Sequence, residues 1–178
     1  MKRINWPLLI YYGVVYLLLQ IPLLHKLVLF DIAFGFFYIG FLLFYPLGQP
    51  PISRLVVGFL TGLFIDVFSN TPGLHAGVCT FVMLIRDNWL KSILEYEEKA
   101  PNLTLYRLKF RGFWFYVLPL IFVHHTLIFW IEYGTFSGIW MTFDRILAST
   151  LFSFFIVVLI NLVIVKRPNR IWRSEFLG

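Results

Sequence analysis

Long apolar runs separated by short charged links dominate the chain. Ile4 to Leu24, Ile32 to Ser53, Gly112 to Ile131 and Ile146 to Val165 each contain no Asp, Glu, Lys or Arg. Each is close to the roughly 20 apolar residues that a spanning helix needs. Between Arg54 and Arg86 only Asp66 interrupts a further uncharged stretch, which is too long for one helix. Asn70-Thr71-Pro72-Gly73 is a turn signal in its middle, and it divides the stretch into two shorter helices, 55–69 and 74–90. These two either span fully, with the second extending through Arg86, or form a re-entrant pair buried among the others. The pattern predicts one all-α polytopic membrane domain over 1–178. Its six spans are 4–24, 32–52, 55–69, 74–90, 112–132 and 146–165, with a loop at 91–111 and a tail at 166–178. Met1-Lys2-Arg3 ahead of an apolar run resembles a signal peptide. The run is long for one and no small-x-small site follows it, so it reads as a retained helix.

Composition supports the same class. Of 178 residues 60% are hydrophobic and 13% charged, about half the charged fraction of an ordinary soluble domain. That excludes a soluble enzyme, a disordered tail and a disulfide-stapled module; the single Cys79 allows no intrachain disulfide. The charges also carry orientation. Thirteen of the fifteen basic residues fall in the start, the Arg54 link, the 86–111 segment and the tail, against Lys26 and Arg145 on the alternate loops. The positive-inside rule then places both termini in the cytoplasm. Trp6, Trp89, Trp114, Trp130, Trp140 and Trp172 fall near span ends, as an aromatic belt would. Thr104 to Arg111 alternates apolar with basic residues after a Pro101-Asn102 turn, which suits a segment lying on the anionic inner surface. The tail Lys166 to Arg173 reads either as a cytoplasmic anchor or as an acidic-lipid contact.

Few residues offer chemistry. Gly58, Gly62, Asp66 and Asn70 recur every four residues and line one helical stripe, small at one end and polar at the other. A GxxxG step lets another backbone approach closely, within the protein or from a partner; internal packing is the commoner use. Asp66 is an intramembrane carboxylate and a functional candidate by default; its plainer reading is a hydrogen-bonded group near the outer interface. His124 and His125 diverge by about 100° on a helix and cannot chelate one metal from one face. Glu132 follows seven residues beyond His125. His25 and His75 sit at predicted outer ends. Satisfied intramembrane histidines are the plain reading, a proton relay or metal site the sharper one. Asp66 and the two histidines lie at matching depth, about 16 to 20 Å from the inner ends of parallel spans, which predicts an Asp66–imidazole pair. No phosphate loop, HExxH or GxSxG occurs, and no cluster of paired carboxylates lies within a span. Nothing resembles a nucleic-acid-reading module, and no cofactor is expected.

The stretch Gly62-Leu63-Phe64-Ile65-Asp66-Val67-Phe68-Ser69-Asn70-Thr71-Pro72-Gly73-Leu74-His75-Ala76 resembles the rod shape-determining protein MreD family. Members carry Gly-Leu, then Asp, then a small polar turn leading into Gly-Leu-His-Ala. His124-His125 followed by Phe129 and Glu132 resembles the fifth helix of one branch of that family. The resemblance implies a non-enzymatic inner-membrane protein of the bacterial elongation machinery. It implies an MreC-like single-span periplasmic scaffold as partner and, through it, an MreB-like actin homologue and a peptidoglycan polymerase and transpeptidase. It also implies a helical arrangement similar to the membrane subunits of energy-coupling-factor transporters. Gly62, Asp66, Gly73 and His75 are the matched positions, read as fold or interface determinants.

Two functions follow as expectations. The first is a scaffold that packs a partner's helix, with the Gly58/Gly62 face as the docking surface. The second is a vitamin-type substrate-binding subunit using Asp66, Asn70 and His75 at an outer mouth. An intramembrane enzyme ranks last, for want of a nucleophile and base that can be placed together.

Overall fold

Among the described residues the chain runs α1 (Trp6–Gln20), β1 (Val28–Leu29), β2 (Ala33–Phe34), α2 (Tyr38–Leu43), α3 (Pro51–Ser69), α4 (Leu74–Glu97), α5 (Phe110–Tyr133) and α6 (Ile139–Val165). The computed structural model describes residues 6–20, 28–29, 32–46, 49–97, 110–133 and 138–165. The tail at 166–178, the loop at 98–109 and residues Lys26, His25 and Trp172 lie outside them, together with the readings placed there. The protein is mostly helical, and α3, α5 and α6 are long and apolar enough to cross a membrane. At 1.5 Å per residue the 19 residues of α3 extend about 28 Å, close to the hydrocarbon thickness. Large apolar side chains stay exposed along the outward faces, among them Ile52 and Val67 on α3 and Leu151, Phe155 and Leu159 on α6. Lipid in place of water accounts for that inverted surface.

Helix ends pass the charges that bound the predicted spans. α3 starts at Pro51, with Arg54 inside it, and α4 runs through Arg86, Asp87 and Lys91. α6 starts ahead of Arg145. A long basic side chain can lie within a helix and carry its charge to an interface or a partner, so a charge marks depth better than it marks a helix end.

The α3–α4 turn is built as the sequence predicts. Pro51 occupies the start of α3, where a missing N–H costs nothing. Asn70 adopts the left-handed conformation at φ 54°, and Gly73 follows at φ 82°. Thr71 N–H reaches back to the Asp66 carbonyl at 3.2 Å, closing α3 in a Schellman-type end.

The second predicted span, 32–52, is corrected. Ala33 and Phe34 pair with Leu29 and Val28 in a short antiparallel hairpin, an irregular link follows, and then come the six residues of α2. Gly35, Gly40, Pro46, Gly48, Pro50 and Pro51 punctuate this run, and they disfavour one unbroken helix. The segment is nevertheless the centre of the bundle: Tyr38, Ile39, Leu42, Leu43 and Tyr45 are each 0% exposed. Irregular backbone at membrane depth survives only where protein covers it, and here α1, α4, α5 and α6 all bond to it.

Candidate functional site: a buried crossing and its polar fastenings

Six helical residues leave most of the backbone N–H and C=O groups of residues 33–46 without helical partners, and each needs one away from water. At the start of the crossing, Gln20 of α1 accepts from the amides of Phe37 and Tyr38, the latter at 3.2 Å, while its amide nitrogen donates to the Gly35 carbonyl at 3.0 Å. From α6, Ser149 accepts from the Phe34 amide at 2.9 Å and Ser153 from the Phe36 amide at 3.0 Å. Ser149 and Ser153 stand four residues apart, so both face the same strip of backbone.

At the far end the C-terminal carbonyls of α2 are gathered by a guanidinium. Arg86, 0% exposed, donates through Nη1 to Leu42 O at 2.7 Å and Tyr45 O at 2.9 Å, and through Nη2 to Pro46 O at 3.4 Å. Tyr116 of α5 donates to Leu43 O at 2.8 Å. A cation on the last carbonyls of a helix matches both their hydrogen-bonding need and the helix dipole. Asp87 takes Arg86 Nε at 2.9 Å and ion-pairs with Arg54. Arg86, which the sequence offers only as a topology-marking charge, turns that charge into the bundle and holds the crossing.

Trp89, exposed on α4, also makes one specific polar contact. Pro119 inside α5 has no N–H, which frees the Phe115 carbonyl four residues earlier, and the Trp89 indole N–H donates to that carbonyl at 3.0 Å. The exposed indoles at the other end, Trp130 and Trp140, fit the belt.

Between these ends lies a cluster of aromatic and imidazole rings. The Tyr38 hydroxyl is hydrogen-bonded to His75 Nδ1 at 2.7 Å and to His124 Nε2 at 2.8 Å, joining α2, α4 and α5. The Phe36 ring packs against His75, His124 and His125 with centroids 5.2 to 5.9 Å away. His125 turns elsewhere. Its Nδ1 donates to the Ile121 carbonyl at 2.8 Å, so the neutral ring offers Nε2 to the Ser153 hydroxyl at 3.1 Å. The two neighbouring histidines thus serve different elements, as their helical divergence predicts. Glu132 is exposed near the end of α5.

Asp66 does not pair with His124 or His125 by any direct bond, and that expectation is overturned. Its carboxylate accepts from the Thr71 hydroxyl and from the His75 and Ala76 amides, each at 2.9 Å. Free N–H groups at a helix start outbid a distant imidazole because they are local, numerous and at the positive end of the dipole. One residue therefore fastens both sides of the turn, its carbonyl closing α3 and its carboxylate opening α4. Asp66→Asn keeps the size but turns one acceptor into a donor facing amide hydrogens. We expect it to cost about 2 kcal/mol in thermal unfolding in detergent, with Asp66→Ala no milder.

Gly58 and Gly62 face α4. A Cβ at Gly62 would lie 2.3 Å from His75 O and 2.5 Å from Ala76 Cα; one at Gly58 would lie 2.9 Å from Cys79 O. The stripe is spent on internal contact and is closed to a partner's helix, so the docking surface predicted there is corrected. Asn70 and Gly73 are exposed in the turn, while Asp66 and His75 are buried and engaged. The Asp66 carboxylate is spent on the α3–α4 junction and the His75 imidazole on Tyr38.

Gln20, Tyr38, Tyr116, Ser149 and Ser153 are the residues that sequence reasoning passes over. The available signal was an uncharged amide and a pair of hydroxyls at four-residue spacing within otherwise apolar runs, which in lipid demand partners. Compared with family models, curated proteins and solved structures, the chain matches none.

Proposed function

We propose that this protein is a non-enzymatic scaffold of the MreD type in a bacterial inner membrane, with both termini cytoplasmic. In this reading the chain crosses six times, and the 33–46 segment makes the second crossing as a short helix within irregular chain. It docks an MreC-like single-span partner, and through that partner it takes part in cell elongation and side-wall peptidoglycan synthesis. The observation that carries the reading is the use made of the Gly62–Ala76 stretch. Its glycine admits α4, its aspartate binds the amides of residues 75 and 76, and its histidine binds Tyr38. The residues on which the family resemblance rests are thus spent on making a rigid body, which suits a scaffold. A vitamin-type carrier would need Asp66 and His75 free for a ligand, and a hydrolytic enzyme would need an accessible nucleophile, whereas the Ser153–His125 pair is buried and bonded to the crossing.

Affinity purification of the tagged full-length chain from its own cells in mild detergent tests this reading. Recovery of a single-span protein with a large periplasmic part is the expected result. Recovery of an energising ATPase module, or of the chain without any single-span partner, overturns the proposal.

A further inference from the structure

We draw no further inference here: the strongest candidate, the buried cluster of Tyr38, His75 and His124 where α2, α4 and α5 meet, belongs to the site already described, its two imidazoles being spent on the Tyr38 hydroxyl that joins these helices.

Discussion

Gly62→Ala should be the most damaging single methyl group that can be added to this protein. The added Cβ would sit 2.3 Å from His75 O, where ordinary contact begins at 3.4 Å, so α3 and α4 must part by about 1 Å. Both nearest atoms are backbone, and no rotamer change relieves them. Parting also draws the Asp66 carboxylate away from the His75 and Ala76 amides, because Gly62 lies one turn before Asp66 and abuts the same two residues. We expect a loss of about 3 kcal/mol, the upper end of the usual cost of overpacking. The buried Cys79, the one cysteine of the chain, is a built-in reporter: its thiol should react with a maleimide dye at a markedly lower temperature than in wild type. Two controls sharpen the test. Gly58→Ala meets Cys79 O and Met83 Cγ at 2.9 Å and should cost less, because its backbone contact is 2.9 Å against 2.3 Å at Gly62. Gly77→Ala meets nothing within 4 Å and should leave the transition unchanged or slightly raised, since alanine favours a helix over glycine. If Gly62→Ala melts with Gly77→Ala, the close α3–α4 approach is not what the glycine is for. Combined with Asp66→Asn, Gly62→Ala should cost less than the two losses added, because each damages the same junction.

The second large effect belongs to Arg86. Replacing it with Met keeps length and apolar packing but strips donors from Leu42 O, Tyr45 O and Pro46 O and leaves Asp87 with Arg54 alone. Breaking a buried charge network by removing one member typically costs about 3 to 5 kcal/mol, and we expect Arg86→Met to fall in that range in denaturant titration. Arg86→Lys should recover little, because a point-like ammonium cannot serve three carbonyls and a carboxylate at once. Adding Asp87→Asn to Arg86→Met should deepen the loss, because Asp87 then balances Arg54 one to one and its removal leaves that guanidinium unpaired. Wild-type stability in Arg86→Met would mean that the α2 carbonyls find other donors, and the account of the buried crossing would have to be abandoned.

Both predictions concern positions whose importance the sequence states unequally. The Gly58/Gly62 spacing and the lone intramembrane Asp66 are visible in the chain as written, and so is the turn at Asn70 to Gly73. Local chemistry decides those features: a helix must end where its residues take up left-handed φ, and an acid in the last turn before a tight turn meets the free amides that start the next helix. Arg86 is equally visible but misleading, because a charge near the end of an apolar run reads the same whether it faces water or the interior. The 32–52 run misled for a related reason. Hydropathy registers that a segment is buried in something apolar and is blind to whether that surrounding is lipid or the rest of the protein.

By itself, then, the sequence determined the solvent, the positions of most helices and the α3–α4 hairpin. These depend on composition and on contacts within one turn or between adjacent elements. Only the tertiary structure decided which partner each polar group takes. Tyr38 joins His75 and His124 across 37 and 86 residues, and Ser149 and Ser153 reach the crossing across 115 and 117. Such pairings arise because an irregular backbone in an apolar interior must bond to whatever donors and acceptors the surrounding helices bring near, and that proximity exists only once the bundle has closed around it.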